Sequence, residues 1–433
     1  TVQAVQGQTV VTDFALVPII ALLEHSPASY ERYLALNMVL TDSLTIANIG
    51  TVSFDYELSD VQTGYASPLA VLANRPAPTY SAAAPVGPLS VRSAEGQAAF
   101  SGPSTPFTWN NGSPLPGGQG LGRYAHAQCE DTPDSFYVIS GVDETFSISS
   151  DNWRYDADTD TWTPLAPFPA AQEGPAGVCY DGYIYVAGGG GSNQFYIYDI
   201  AINSWTACPA LPRFVWGPAM GAFDDQIFVI GGDNDFFFGG TSNEVSIYDI
   251  GSGTWSSGTP MPTAAVTAGY AQISSLVYVV GGWGDASPGS NVDVTQRYDM
   301  SNDTWETGPT FTSGQADFAL AATDTYLYAM GGDANGGGPF DMSNQVNVYE
   351  YADWPDGSWA DLGDPLPDAY SANNGGFCTQ AVTGGEVWSF GGINPSFIIT
   401  GDNPYRPSEG CAVGVSDALW LIELPATGTV DAG

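Results

Sequence analysis

The sequence repeats one pattern about every 50 residues. In each copy an apolar run ends in a Gly pair, a second run ends in Tyr-Asp, and a Trp follows. One copy contains Gly188-Gly189, Tyr198-Asp199 and Trp205, and the Gly pairs or their equivalents end at 141, 189, 232, 282, 332 and 392. A repeat of this length built from short strands predicts a propeller or another closed array.

The residue types in each copy explain the pattern. Short runs rich in Val, Ile, Tyr and Phe suit strands that are buried on both faces. A Gly pair permits a sharp exit from the strand, and a Trp fills the space between outer strands. The pattern at Gly188-Gly189, Tyr198-Asp199 and Trp205 resembles the kelch family over residues 105–424. That resemblance implies four antiparallel strands per blade around a central axis.

The Trp residues give the number of blades. They fall at 162, 205, 255, 305 and 359, but the sixth copy ends in the run Ala418–Leu424 with no Trp after it. Trp109 lies upstream in Phe107-Thr108-Trp109, before a Ser-Pro-Leu-Pro stretch that resembles the one after Trp162. We therefore predict six blades, with 105–110 as the outer strand of the last blade and 418–424 as its third strand.

The region before the propeller is predicted to be β-rich as well, so the whole chain is expected to be all-β. Residues 1–16 form a strand segment that resembles the edge of a carboxypeptidase regulatory-like β-domain at Gly7-Gln8-Thr9 and Asp13–Leu16. Residues 17–72, with the turn Asn48-Ile49-Gly50, resemble small Ig-like β-sandwich modules found after secreted bacterial subtilisin-like proteases. Residues 73–104 are a Pro/Ala/Ser-rich linker, and 425–433 are a tail.

The charge composition restricts the possible partners. The chain has eight Arg, no Lys and 47 acidic residues, which gives a net charge of −39. Nucleic acids and anionic membrane surfaces are therefore excluded as expected partners. The acidic surface, the absence of a long apolar run and a start at Thr1 predict an extracellular or cell-surface protein processed from a larger secreted precursor.

Five cysteines allow two interpretations. Cys129, Cys179, Cys208, Cys378 and Cys411 could be buried free thiols, or some could pair outside the cell. Cys378 with Cys411 is the first candidate disulfide because both are predicted in the last blade. The odd number leaves at least one cysteine unpaired.

The sequence does not favour catalysis. Copper-radical oxidases share the kelch propeller, but their site requires two His with Tyr and Cys, and this chain has only His25 and His126. We expect His126 on an inner strand, hydrogen-bonded to a neighbouring blade. Schiff-base chemistry is excluded without Lys. A pair of carboxylates acting on a carbohydrate is the remaining, less favoured enzyme hypothesis.

The loops after the second strands and the links between blades are predicted to share one face, which forms a candidate binding rim. Its predicted residues are Arg123, Arg213, Trp216, Phe236, Phe237, Phe238 and Trp283. The Phe run could instead pack on a neighbouring loop. Asp233 and Asp235 are candidate Ca²⁺ ligands, whereas Asp156 and Asp160 are expected to form turns. No other cofactor is expected.

Two non-catalytic functions remain open. The first is a structural protein that assembles head to tail into a filament, with a donor strand that completes a neighbour's sheet. The residues of that strand would be Val10, Thr12, Phe14 and Leu16. The second is a monomeric secreted module that binds a glycan or a protein on the rim. We favour assembly slightly on the sequence alone.

Overall fold

The computed structural model divides the chain into two compact units, residues 100–417 and residues 1–99 with 418–433. It describes residues 109–129, 132–234, 240–284, 291–311, 314–334, 342–379 and 385–408, and four short strands of the second unit. The larger unit holds six four-stranded antiparallel sheets. The predicted all-β fold with six blades is therefore confirmed.

Each blade is a meander that runs from an inner to an outer strand. Blade 1 contains Ala125–Gln128, Ser135–Ile139, Asn152–Asp156 and Thr161–Pro164. Blade 2 contains Ala176–Tyr180, Tyr183–Ala187, Phe195–Asp199 and Ser204–Ala207. Blade 3 contains Ala219–Phe223, Gln226–Ile230, Val245–Asp249 and Thr254–Ser257.

The other three blades have the same order of strands. Blade 4 contains Gly269–Ile273, Leu276–Val280, Thr295–Asp299 and Thr304–Thr307. Blade 5 contains Ala319–Ala322, Tyr326–Met330, Val346–Glu350 and Ala360–Asp361. Blade 6 contains Gly376–Thr379, Glu386–Ser389, Pro404–Pro407 and, from the other end of the propeller sequence, Asn110–Asn111.

Short ribbons and two 3₁₀ turns complete the described part of the propeller. The ribbons pair Leu121–Gly122 with Val142–Asp143, Gln315–Ala316 with Asp333–Ala334, and Gly392–Ile393 with Ile399–Thr400. The 3₁₀ turns are Pro116–Gly118 and Tyr351–Asp353. Among the described residues, none of the helices has the length and apolar character needed to cross a membrane.

The closing strand lies where Trp109 predicted it. Asn110 pairs with Tyr405 of the third strand. The indole Nε1 of Trp109 donates a hydrogen bond to the carbonyl oxygen of Asp364 at 3.0 Å, as Trp205 does to Ala166 at 2.9 Å. Trp109 therefore occupies in blade 6 the place that the other repeats give to their own Trp.

The third strand of blade 6 is not the predicted one. It is Pro404–Pro407, which pairs with the second strand, whereas the sequence analysis assigned 418–424 to this place. Tyr405 stacks on Trp388 with ring centroids 4.2 Å apart. A short hairpin at 393–400 returns the chain early, so the third strand is formed before 418. The larger compact unit covers residues 100–417, and the predicted domain boundary at 424 stays a prediction.

The Gly pair is required by the backbone at the exit of the second strand. In blade 2, Gly188 and Gly189 have φ values of 68° and 87°, in the left-handed region. The N–H of Gly189 donates to the carbonyl of Val215 in the next link at 2.9 Å. A Cβ on Gly188 would lie 2.4 Å from a Val215 methyl group. The pair therefore both turns the chain and ties one blade to the next.

The second unit contributes two strand pairs. Leu23–Ser26 pairs antiparallel with Thr45–Asn48, and Asp55–Tyr56 pairs with Gly428–Thr429. The predicted donor strand at 1–16 and the linker at 73–104 lie outside the described residues. The Ig-like module over 17–72 stays a prediction.

Candidate functional site: the loop-rich face of the propeller

The links between blades and the loops after the second strands lie side by side at one end of the propeller. Backbone bridges join the two sets, as between Trp216 and Asp233 and between Val266 and Trp283. We call this end the loop-rich face. The opposite face carries the turns from first to second strand and from third to outer strand.

A closed ring of backbone hydrogen bonds surrounds the central axis just before the inner strands. One residue from each link donates its N–H to the carbonyl of the equivalent residue in the preceding link. All six N–O distances are 2.8 or 2.9 Å. All six have φ between 49° and 68°. The six residues are Arg123, Gly174, Gly217, Thr267, Asp317 and Ala372. We call this the axial ring.

Arg123 is the cation of the axial ring. Its guanidinium donates to Glu173 at 2.7 Å and to Asp317 at 3.0 Å, and the side chain is only 11% exposed. Burial alone would lower the pKa of Arg123, but the carboxylates of Asp317 and Glu173 outweigh burial and raise it. Arg123 therefore stays charged and holds together the links of blades 1, 2 and 5.

Two indoles pack over this ion pair. The Cζ atom of Arg123 lies 5.3 Å from the ring centroid of Trp216 and 5.8 Å from that of Trp283. The indoles are stacked on each other at 6.1 Å and are almost fully buried. Arg123, Trp216 and Trp283 were predicted as contact residues of the rim. The structure places them together but beneath the surface, where they support the face.

Arg213, the other predicted rim cation, is tied to the loop of blade 3. It donates to the carbonyl oxygens of Gly231 at 2.7 Å and Glu244 at 3.2 Å, and its Nε lies 3.5 Å from the Glu244 carboxylate. Burial lowers its pKa, and Glu244 partly opposes that effect. Phe236, Phe237 and Phe238 of the same loop lie outside the described residues.

The acidic residues of the calcium hypothesis lie in different settings. Asp233 is buried and its backbone pairs with Trp216, while Asp235 lies outside the described residues. Within the described part of the chain, no group of three His, Cys, Asp or Glu side chains could hold a metal ion. Asp156 accepts hydrogen bonds from Thr159, and Asp160 accepts one from Tyr155, so both stabilise turns. The Ca²⁺ site stays a prediction.

Large side chains fill the central channel below the axial ring. Tyr270 of blade 4 donates from its hydroxyl to the carbonyl of Gly177 in blade 2 at 3.1 Å. The ring of His126 contacts that of Tyr270 at a tilt of 32°, with centroids 4.6 Å apart, and meets Phe377 edge-on at 5.7 Å. One cavity at this level, lined by Arg123, His126 and Tyr270 among others, has a free volume of about 10 Å³, enough for about one water molecule. Between these described residues the channel is packed with side chains.

His126 should make the fold sensitive to acid. Burial lowers its pKa to about 4, so the unfolded chain takes up the proton first as the pH falls from about 6.5. We expect this group to contribute about 3 kcal/mol of stability at pH 7 that is lost by pH 4. In urea unfolding, the free energy of unfolding of His126→Phe should therefore fall less between pH 7 and pH 4 than that of the wild type.

The control for this prediction is His25→Phe, because His25 is the second of the two histidines and lies outside the propeller unit. It should leave the pH dependence of propeller unfolding unchanged. An equal loss in wild type and His126→Phe would contradict the prediction.

Comparisons with known proteins agree with this architecture. The family model described as "Kelch motif" matches residues 217–262 and 265–312, which contain blades 3 and 4. Blades 3 and 4 of the six-bladed propeller therefore match the kelch motif. The solved structure described as "Structure of YjhT" aligns with a TM-score of 0.54 and 16% identity, covering 66% of this chain and 94% of that chain. At that identity the similarity shows the fold alone. No curated protein sequence matched the chain.

A disulfide links the inner strands of two neighbouring blades. Cys129, directly after the inner strand of blade 1, is bonded to Cys179 in the inner strand of blade 2. The sequence analysis did not propose this pair. The signal was the separation of 50 residues, which equals one repeat. Cys378 is also disulfide-bonded, and its predicted partner Cys411 lies outside the described residues. Cys208 is a free, half-buried thiol.

Most of the exposed large apolar side chains of the described blades lie on the loop-rich face. Two of the seven, Tyr183 and Ile202, are on the opposite face. The other five are in links or second-to-third-strand loops, namely Phe146, Ile148, Phe214, Phe397 and Ile398. Sequence reasoning missed these five because single apolar residues in polar loops give no periodic signal.

Proposed function

We propose that this kelch propeller is a non-catalytic, extracellular module that binds a protein partner on its loop-rich face. The five exposed apolar side chains on that face carry the proposal. Four of them lie in only two loops, and each of these four side chains is more than half exposed. Apolar side chains concentrated on one face favour association with a partner. A kelch propeller suggests a protein–protein interaction module in general, so the fold supports the same class of function.

The extracellular part of the proposal rests on cysteine chemistry and charge. The Cys129–Cys179 bond and the disulfide-bonded Cys378 favour an oxidising compartment. A net charge of −39 keeps molecules of the protein apart by repulsion and so favours solubility, which suits a secreted protein.

The non-catalytic part rests on the centre of the propeller. Tyr270, His126 and Phe377 fill the channel, and the pKa of His126 is lowered to about 4, so the imidazole is neutral near pH 7. The cation at the mouth, Arg123, is engaged by two carboxylates of the protein itself. This arrangement supports a structural role for the groups that could otherwise act on a substrate.

The proposal is tested by selecting peptides from a random displayed library on the immobilised wild-type protein. Hydrogen exchange of the protein with a selected peptide should show protection in the links and the second-to-third-strand loops. Protection confined to the turns near Tyr183 and Ile202, or selection of no peptide above background, would overturn the proposal. If glycans bind to the same face and peptides do not, the partner is a glycan instead of a protein.

Head-to-tail assembly through Val10, Thr12, Phe14 and Leu16 stays a prediction, because these residues lie outside the described ones. Deleting residues 1–16 tests it directly. If the full chain forms polymers by strand donation, the deletion should yield monomers in analytical ultracentrifugation. An unchanged size distribution would contradict assembly and leave only the binding function.

A further inference from the structure

Two neighbouring loops of the loop-rich face have the same unusual geometry. Residues 142–148 of blade 1 and 393–399 of blade 6 are short hairpins, which we call the twin hairpins. In the first, Phe146 donates its N–H to the carbonyl of Asp143 at 2.9 Å, and Asp143 donates to Ser147. In the second, Phe397 donates to Asn394 at 2.8 Å, and Asn394 donates to Ile398. Each is a type I turn followed by one bulge residue.

The bulge residue is a phenylalanine in both hairpins. Phe146 has φ of 60° and Phe397 has φ of 58°, in the left-handed region that favours glycine in this kind of turn. Their side chains are 56% and 58% exposed. Two separate turns thus present a phenylalanine to solvent at a backbone position that favours glycine.

The twin hairpins share a base. Ile399 of the second hairpin packs with Ala372 and Ile393, and Val142 of the first packs against the same cluster. Segment Leu121–Gly122 pairs with Val142–Asp143, and a Cβ on the adjacent Gly120 would lie 2.2 Å from the carbonyl oxygen of Ile399. The two phenylalanines, with Ile148 and Ile398, therefore project from one buried cluster at the boundary of blades 6 and 1.

The charges around the twin hairpins are negative. Glu144 is exposed, and it accepts a hydrogen bond from the N–H of Gly120. Burial alone would raise the pKa of Asp143, but hydrogen bonds from Thr145 and Ser147 outweigh it and lower the pKa, which keeps this carboxylate ionised. An apolar surface bordered by carboxylates suits a partner that carries both apolar and cationic side chains.

We propose that the twin hairpins form the docking surface for a cationic, apolar peptide segment of another protein. This inference rests on the proposed function and specifies its site and partner class. A second copy of this chain fits poorly, because it brings a net charge of −39 and no Lys. Arg123, Arg213 and Arg297 are already bound to its own carboxylates. The same acidity disfavours an anionic lipid surface.

The probe is a short synthetic peptide that alternates Arg with Leu. Two matched peptides replace all Arg by Glu or all Leu by Ser. We expect the Arg–Leu peptide to bind, measured by fluorescence anisotropy at low and high salt, and both matched peptides to bind at least about ten-fold more weakly. Equal binding of the Glu–Leu peptide would overturn the cationic partner class.

The site is tested with the double variant Phe146→Ser/Phe397→Ser. It should weaken binding of the Arg–Leu peptide by about ten-fold or more, because exposed aromatic anchors dominate such contacts. Phe214→Ser on the same face and Ile202→Ser on the opposite face are the matched controls and should change the affinity less than about two-fold. A double variant that binds as wild type does would overturn the assignment of the site.

A stability measurement separates binding from a structural role. Phe146→Gly and Phe397→Gly should each raise Tm by about 1–3 °C, because glycine relieves the left-handed strain, while peptide binding falls. A lower Tm in both would show that the phenylalanines support the fold and would overturn the inference. If library-selected peptides protect the loop-rich face but ignore the twin hairpins, this inference fails and the proposed function stands.

Discussion

Replacing Arg123 by methionine should lower the free energy of unfolding by about 3–5 kcal/mol. Arg123 is the cation between Glu173 and Asp317, and the Asp317 side chain is only 1% exposed. Removing the guanidinium leaves carboxylates that have lost both their counter-charge and most of their access to water. Urea unfolding of Arg123→Met at neutral pH measures the loss.

Two variants control this prediction. The triple variant Arg123→Met/Glu173→Gln/Asp317→Asn removes all three charges and should recover a large part of the stability. Glu306→Gln breaks the pair with Arg297, whose carboxylate partner is 58% exposed, and should cost about 1 kcal/mol or less. A single Arg123→Met variant as stable as Glu306→Gln would show that the buried network is not needed.

The second large effect is expected from the Cys129–Cys179 disulfide. Cys129→Ala/Cys179→Ala should lower the free energy of unfolding by about 4 kcal/mol, because the bond closes a loop of 50 residues in the unfolded chain. The bond also joins the inner strands of blades 1 and 2. In the double variant, hydrogen exchange should therefore increase in these two strands more than in the other blades.

Cys208→Ala is the matched control, since Cys208 is a free thiol and only half-buried. It should change the free energy of unfolding by less than about 1 kcal/mol. If Cys129→Ala/Cys179→Ala has the same unfolding midpoint as Cys208→Ala, the disulfide does not stabilise the propeller.

The repeat allowed the blades to be predicted because its residues have fixed backbone or packing roles. The left-handed φ at Gly188 and Gly189 requires glycine, and the N–H of Gly189 links adjacent blades. Trp109 makes the same kind of inter-blade hydrogen bond as Trp205, so its position in the sequence was sufficient to place the closing strand.

The last blade was harder because its third strand has almost no repeat signal. Pro404–Pro407 contains two prolines and one Tyr, whereas 418–424 is a regular apolar run. In the folded chain, Pro404–Pro407 forms the third strand because it pairs with the second strand and because Tyr405 stacks on Trp388. Such contacts depend on tertiary packing and cannot be read from local composition.

The candidate site shows the same limit. Sequence reasoning expected Arg123, Trp216 and Trp283 at the face where the links and loops meet, and the structure has them there. Whether a side chain supports a face or projects from it depends on three-dimensional packing, which the sequence does not show. The exposed residues Phe146 and Phe397 gave no sequence signal, because a single Phe in a polar loop is common. Their left-handed φ is visible only once the hairpin hydrogen bonds are known.

The axial ring predicts how the protein tolerates circular permutation. Each of its six N–H groups donates to the preceding carbonyl, and Arg123 donates to Ala372, so the cycle contains neither a first nor a last member. The position at which the polypeptide begins is therefore irrelevant to the geometry at the axis. Circular permutants opened at the outer turn of any blade should close into the same six-fold cycle, whereas insertion or deletion of one blade should interrupt it.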